Sequence, residues 1–239
     1  MQCVILAGGL GTRMWPVAKT IPKTLLPVAG RPFADWQLAW LAAAGVTSVV
    51  YCIAFLGEQV RDHVGTGASH GLSVSYVDEG EELRGTAGAL RLALDQGELD
   101  ERFLVLYGDS WLQVDPADVY AAARDSGLPA LMTVFRNDGR FDASNVEFAD
   151  GLVTRYEKGL GTATPASMRW IDYGLSVFTR DVIATRVPDG QVADLAPLCT
   201  ALAAERNLAG YLVTERFYEI GSPSGLAEAE ALLSARLAE

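Results

Sequence analysis

At 239 residues, half of them apolar, the chain is long enough to bury the core of one large α/β domain. Its apolar residues never form a run of about eighteen, the length a membrane-spanning helix needs, which excludes such a span. A net charge of −11 repels nucleic acid and anionic lipid and argues against both as partners.

The chain opens on Cys3-Val4-Ile5-Leu6, a continuous apolar run that reads as a buried strand. Met1-Gln2 leads into it without a basic start or a small-residue cleavage site, which points to the cytoplasm. Gly8, Gly9 and Gly11 then break the run with residues that turn sharply and bring bare backbone N–H groups up to an anion. Arg13 and Lys23 add fixed positive charge, and N–H dipoles with a guanidinium fork suit a polyphosphate. The chain has sixteen arginines but only Lys19, Lys23 and Lys158, so a lysine in this stretch is a placed residue. Pro22 fixes the backbone just before Lys23 and aims it. The bland alternative is a glycine-rich surface turn with incidental cations. A P-loop needs Gly-Lys-Ser/Thr, and a dinucleotide loop needs a third glycine where this chain has Met14, so neither fingerprint fits.

Residues 33–44 place Phe33, Trp36, Trp40 and Leu41 at helical spacing, closed by Gly45, and the aromatic stripe reads as core. A second strand follows at 49–54, a short helix at 58–64 and a third strand at 72–77. The polar loop from Asp78 leads into a helix at Gly85-Thr86-Ala87-Gly88-Ala89, and 103–107 is an apolar strand ending at Gly108-Asp109-Ser110. This alternation predicts a mostly parallel sheet with helices on both faces, which binds ligands at the carboxyl ends of its strands. The loops at Gly8, Glu81 and Gly108 would then open on one edge. Asp109 ends a strand directly after a glycine, where a carboxylate can hold Mg²⁺ on phosphate oxygens; the alternative is an aspartate starting a turn. His63 and His70 sit in no triad or zinc pattern and read as surface residues. Cys3, Cys52 and Cys199 are an odd, widely spaced set, reduced core thiols rather than a disulfide or metal framework. After Pro129 the pattern turns to strands with hairpin signals: 130–135, 145–148, the Asp150-Gly151 turn, 152–156 and 171–178. A last helix starts at Ser222, with Pro223 in its first turn, and runs to about Leu237.

Gly8-Gly9-Leu10-Gly11-Thr12-Arg13, followed by Pro16, Pro22-Lys23, Leu26-Pro27-Val28 and Gly30-Arg31-Pro32-Phe33, resembles the signature of the sugar-1-phosphate nucleotidyltransferases. Later motifs follow in order, so the resemblance covers nearly the whole chain. The look is nearest to the heptose- and mannose-1-phosphate guanylyltransferases and the muramate-1-phosphate uridylyltransferases. The resemblance implies a single Rossmann-like α/β domain over 1–239, its mostly parallel sheet flanked by helices and carrying an inserted, smaller β-rich part. Residues 1–128 would be the nucleotide-binding half, 129–221 the sugar-binding half and 222–239 a terminal helix.

The activity implied is nucleotidyl transfer from a nucleoside triphosphate to a sugar 1-phosphate, with GTP and a heptose or mannose 1-phosphate as one such pair, giving an NDP-sugar and pyrophosphate with Mg²⁺ as cofactor. A phosphate monoester with a second pKa of about 6 is already mostly dianionic, so such a reaction needs positioning and charge neutralisation more than a base. By resemblance, Arg13, Lys23 and Asp109 carry the chemistry. Leu6, Ala7, Gly8, Gly9, Gly11, Thr12, Arg13, Glu82, Gly85 and Thr86 would hold the nucleotide, although the bland reading of Glu81 and Glu82 is solvated charge. Asn145, Glu157, Lys158, Asp172 and Gly174 would hold the sugar phosphate, and Asp109 with Glu219 the metal.

Two departures from the family pattern carry expectations. Asn145 stands where glycine is usual, which predicts an atypical sugar pocket and poor use of glucose 1-phosphate. Glu219 stands where aspartate is usual, and its extra carbon predicts metal contact through water. The expected partners are the two substrates, with neither nucleic acid nor membrane, and a homo-oligomer is compatible with the sequence. A catalytically silent regulatory or binding subunit of the same fold is the main alternative, against which the retained Arg13, Lys23, Asp109 and Lys158 count. A nicotinamide-dependent oxidoreductase lacks its third glycine.

Overall fold

The computed structural model describes residues 1–9, 11, 14, 19–159 and 161–237. In chain order, β1 (Gln2–Leu6) is followed by β2 (Pro27–Val28), β3 (Arg31–Pro32), α1 (Phe33–Ala43), β4 (Ser48–Ile53), α2 (Gly57–Val64) and β5 (Ser73–Asp78). Next come α3 (Gly85–Asp95), β6 (Arg102–Tyr107), β7 (Ser110–Trp111), α4 (Pro116–Asp125), β8 (Ala130–Arg136), β9 (Val146–Ala149) and β10 (Leu152–Tyr156). The remaining elements are β11 (Trp170–Thr179), α5 (Arg180–Arg186), α6 (Leu195–Ala204), β12 (Leu208–Val213), β13 (Tyr218–Glu219) and α7 (Pro223–Leu237). These elements group into two compact units. One comprises Met1–Leu83, Leu106–Leu112 and Phe217–Glu239, the other Arg84–Val105 and Gln113–Arg216.

In the first unit β5, β4 and β1 are neighbours in that order, all parallel, with Gln2 opposite Ser48 and Ser48 opposite Ser73. Cys3, Val4 and Ile5 of β1 and residues 49–53 of β4 are fully buried, as continuous apolar strands covered on both faces should be. Helix α1 buries Phe33, Trp36, Leu38 and Leu41, and the Trp36 ring meets Trp111 edge to face at 6.2 Å. Helix α7 adds Ala229 and Leu233 to the cluster that holds Met14, Leu26, Val28 and Trp36. The aromatic stripe is therefore core, and the parallel arrangement predicted for these strands is present.

The second unit orders its strands β11-β8-β12-β10-β9. β12 runs parallel to β8, while β11–β8, β10–β12 and β10–β9 are antiparallel. A further pairing of Val146 with Trp170 joins β9 back to β11, so the ladder returns on itself. The β9–β10 turn has φ of +52° at Asp150 and +75° at Gly151, the left-handed pair that suits a two-residue hairpin. Helix α4 starts at an aspartate followed by proline: Asp115 accepts from the Ala117 N–H at 2.8 Å, and Pro116 fills the first turn. The second unit is thus mixed in strand direction and rich in β-structure, and it also contains α3 to α6. Among the described residues no helix is long and apolar enough to cross a membrane. All three cysteines are free and buried, and burial pushes their thiols up out of the reactive range.

Candidate functional site

In the first unit the carboxyl ends of β1 and β6 bring two glycine loops together. Gly108 donates its N–H to the Leu6 carbonyl at 3.0 Å. A Cβ at Gly108 would stand 3.1 Å from that oxygen and 3.2 Å from the Ala7 Cβ, so a side chain here would press the two strand ends apart by a few tenths of an ångström. Gly8 is buried, and a Cβ there would collide with the Glu79 carboxylate; Gly9 is exposed with open space beside it. Gly11 has φ of +64°, and its carbonyl accepts from the Met14 N–H at 2.9 Å. Thr12 and Arg13, both expected at the nucleotide, lie outside the described residues.

Asp109 follows Gly108 directly, and its carboxylate pairs with the Lys23 ammonium from the turn after Pro22. Each side chain of this pair keeps about a fifth of its surface open, so the two charges are accessible to solvent and solute. The backbone that carries Asp109 is held from three directions. The Ile220 N–H donates to the Asp109 carbonyl at 2.9 Å, Gly108 is tied to Leu6, and the Gln37 side-chain amide donates to the carbonyls of Tyr107 and Ser110 at 3.0 and 2.8 Å. Glu219 is exposed on β13 and lies opposite Ser110 in antiparallel register, one step along from Asp109. Gly225 of α7 packs its bare Cα against the Glu219 carbonyl, which seats that strand.

The donor chemistry here fits Mg²⁺. One accessible carboxylate with a second a register step away is the set expected for an ion that keeps water and takes its other oxygens from phosphate. A closed protein cage is not what this provides: among the described residues no group of three or more acidic, histidine or cysteine side chains gathers around one point.

Further along the same unit, Ala54, Phe55, Asp78, Gly80, Glu81 and Leu83 line a cavity of about 500 Å³. Phe55 and Leu83 are each 36% exposed, large apolar surface that a flat aromatic ligand could cover. Glu81 lines this cavity, whereas Glu82, the residue expected at the nucleotide, is exposed and not part of the wall. Of the chain's two histidines, expected at the surface, His63 is exposed and His70 half-buried. His63 and His70 both meet Asp35 Oδ1, at 2.9 and 3.4 Å.

In the second unit the start of α3 is occupied by protein. The Thr86 amide and hydroxyl both donate to Asp194 Oδ1, at 3.1 and 3.2 Å, and the Ala87 and Gly88 amides donate to the Ala193 carbonyl at 2.9 Å. In return the Leu195 amide, at the start of α6, donates to the Thr86 hydroxyl at 2.8 Å. Two helix N-termini thus cap each other across one carboxylate. Gly85 adopts φ of +73°, and a Cβ there would meet the Ala193 carbonyl at 2.6 Å, which accounts for the glycine.

The residues expected at the sugar phosphate do come together in this unit. Asn145 Oδ1 accepts from the Asp172 amide at 2.9 Å, and the Asn145 carbonyl accepts from the Glu157 amide at 3.0 Å. Pairing between β11 and β8 shifts register between Asp172 and Ser176, where Gly174 takes φ of +106°. That bulge turns the Gly174 N–H onto Asp172 Oδ1 at 3.1 Å. Burial pushes the Asp172 carboxyl up, and the Gly174 N–H, the Lys158 charge and the Tyr156 hydroxyl pull it partly back. Lys158 is exposed, while Glu157 turns its carboxylate to Arg155 at 2.7 Å.

Sequence reasoning missed Gln37, Glu79, Phe55 and Asp194. Asp194 had a local signal, an acid ahead of the apolar run Leu195-Ala196-Pro197-Leu198. Gln37 had a weaker one, a polar residue inside an apolar helical stripe.

Residues 2–236 match the protein-family model for nucleotidyl transferase. The chain is 30% identical over 239 residues to N-acetylmuramate alpha-1-phosphate uridylyltransferase of Neisseria meningitidis, covering 98% of this chain and 99% of that protein. It is 30% identical over 237 residues to mannose-1-phosphate guanylyltransferase of Mycobacterium tuberculosis, covering 97% of this chain and 64% of that one. Among solved structures, HddC from Yersinia pseudotuberculosis complexed with GMP-PN superposes with a TM-score of 0.79 at 23% identity, covering 97% and 99% of the two chains.

Proposed function

The chain belongs to the nucleotidyl transferase family, and from that premise we propose that its sugar-1-phosphate nucleotidyltransferase activity transfers the guanylyl group of GTP to a neutral, manno-configured sugar 1-phosphate. The observation that carries this reading is the accessible Lys23–Asp109 pair set beside Gly8 and Gly108 at the strand ends of the first unit. Lys23 and the bare N–H groups of the glycine loop take the triphosphate's charge, Lys23 leaving Asp109 to do so. The dianionic sugar phosphate attacks the α-phosphorus; one P–O bond forms there, the bond to the bridging oxygen breaks, and pyrophosphate leaves with that electron pair. No protein base is required, which agrees with histidines committed to Asp35. Mg²⁺, held by Asp109 and by Glu219 through water, would supply charge neutralisation on the phosphate oxygens. Thr12 and Arg13 belong to the same reading by motif.

Lys158 is assigned to the sugar phosphate, and Asp172 and Asn145 to its hydroxyls. N-Acetylmuramate 1-phosphate carries a lactyl carboxylate that needs its own cation. Of the arginines that flank this cluster in sequence, Arg155 is taken by Glu157 at 2.7 Å and Glu147 at 3.7 Å, and Arg169 by Asp138 at 3.0 Å. A neutral sugar has no such need, and the relatives named for mannose and heptose 1-phosphates are guanylyltransferases. Uridylyl transfer to N-acetylmuramate 1-phosphate is the second reading, supported by a relative matched over almost its whole length. We place the enzyme in the cytoplasm, where both substrates occur.

The test is pyrophosphate release across GTP, UTP and dTTP, each with mannose, heptose, N-acetylmuramate and glucose 1-phosphates. GTP with mannose or heptose 1-phosphate should give the highest kcat/KM, and glucose 1-phosphate should be poor. A maximum at UTP with N-acetylmuramate 1-phosphate replaces the proposal by the second reading. Nucleotide binding without turnover of any pair would make the chain a silent subunit.

A further inference from the structure

Gln37 is fully buried in α1, 72 positions before Asp109, and both hydrogens of its side-chain amide are used on the turn that carries that aspartate. One goes to the Tyr107 carbonyl at 3.0 Å and the other to the Ser110 carbonyl at 2.8 Å, so a single Nε2 bridges the two ends of the Gly108-Asp109 turn. Chemistry fixes the amide's orientation, because the reversed amide would set its oxygen against two carbonyl oxygens. Its own Oε1 is left buried with no hydrogen-bond partner. An orphaned buried acceptor is a net cost to the fold, so an apolar side chain of the same volume would serve better if α1 only had to fill space. The amide is placed for its two donors. Gly108 to Leu6 and Ile220 to Asp109 are backbone contacts of the same turn, and Gln37 adds side-chain hydrogen bonds to the carbonyls at its two ends.

We propose that Gln37 is a positioning residue for Asp109, fixing where its carboxylate stands when it exchanges Lys23 for a divalent cation. This rests on the reading of Asp109 as a metal ligand. With the clamp released, the turn can relax by tenths of an ångström. Mg²⁺ at ligand distances of about 2.1 Å tolerates such shifts poorly, so the loss falls on metal affinity and kcat and leaves the sugar-phosphate KM largely alone.

The experiment is a double-mutant cycle of Gln37→Met and Asp109→Asn, read by pyrophosphate release and, independently of activity, by Mn²⁺ binding followed by electron paramagnetic resonance in the presence of nucleotide. Gln37→Met should lower kcat about tenfold or more and weaken Mn²⁺ binding at least fivefold, with the sugar-phosphate KM within twofold of wild type. In the Asp109→Asn background the same substitution should change neither quantity. Gln37→Asn, which keeps an amide but reaches at most one carbonyl, should fall between, and it carries the test if the methionine variant does not fold. Equal losses with and without Asp109, or a lower melting temperature with unchanged Mn²⁺ affinity, would make Gln37 a structural residue only and overturn the proposal. If Asp109→Asn itself keeps full activity and Mn²⁺ binding, the reading of Asp109 fails and takes the proposal with it; a damaging Asp109→Asn with a silent Gln37→Met removes the positioning role alone.

Discussion

At the scale of single residues, the pairing of Lys23 with Asp109 means that the two groups our proposal assigns to triphosphate and metal neutralise each other until those ligands arrive. Lys23→Ala should therefore have opposite effects on two measurements. Turnover should fall at least tenfold, about 1.4 kcal/mol of lost transition-state stabilisation. Mn²⁺ affinity of the nucleotide-free protein should rise, because Asp109 loses its competing cation; an unchanged or weaker affinity would mean that the pair does not guard the carboxylate. Asp172 offers a second case. Its carboxyl is pushed up, first by burial, so the folded chain holds that proton more tightly than the unfolded chain does. The stabilisation linked to it is present below the ordinary carboxylate pKa and is lost as pH rises through the raised value. Above that value the ionised group costs stability. Asp172→Asn keeps an acceptor for the Gly174 N–H without the charge, so its melting temperature should exceed that of wild type at pH 7–8, and the gap should close toward about pH 4. Sugar-phosphate binding should weaken in the same variant. A melting temperature below that of wild type across this range would show that the ionised carboxylate is stabilising.

At the scale of elements, the mutual caps of α3 and α6 put the Thr86 amide on the Asp194 carboxylate and the Leu195 amide on the Thr86 hydroxyl. Asp194→Ala removes two hydrogen bonds and the compensating charge together. The loss should be about 1–2 kcal/mol, typical of a missing N-cap. In a chain of this size that lowers the melting temperature by roughly 2–4 °C per kcal/mol. Asp194→Asn should lose less, and a calorimetric scan in which Asp194→Ala melts with wild type would remove the cap from the list of stabilising contacts. These contacts also mark what was legible in the sequence. Strand β1, helix α1, the hairpin turn at Asp150-Gly151 and the start of α7 are written in local patterns of period and turn residues, and they stand within a residue or so of their expected places. Gln37 reaches partners 70 and 73 positions away, and Thr86 reaches one 108 away. No local period encodes such distances. The glycines at 8, 85 and 108 did announce close approaches, but not what would approach them.

At the scale of the whole molecule, a net charge of −11 has to be reconciled with two anionic substrates. Binding should then depend on Mg²⁺ as much as on the nucleotide. GTP with Mg²⁺ at about a hundred times its dissociation constant should stabilise the fold by roughly 2.7 kcal/mol by mass action. GTP with EDTA should give a clearly smaller shift in melting temperature, and UTP with Mg²⁺ a smaller one than GTP. Equal shifts for GTP with and without the metal would count against Asp109 as its ligand.

The first unit is also discontinuous: its three stretches are 1–83, 106–112 and 217–239. A ribosome makes them in that order, at about 5–20 residues per second. The glycine loop and Lys23 emerge early, Asp109 follows several seconds later, and the backbone bond from Ile220 that seats Asp109 waits for about a hundred residues more. For that interval the nascent chain carries Lys23 and Asp109 without the Ile220 bond that seats the aspartate. Ligand-assisted folding can therefore begin only once Ile220 has been made, and a chain truncated before Phe217 would carry Lys23 and Asp109 with no finished place to hold them.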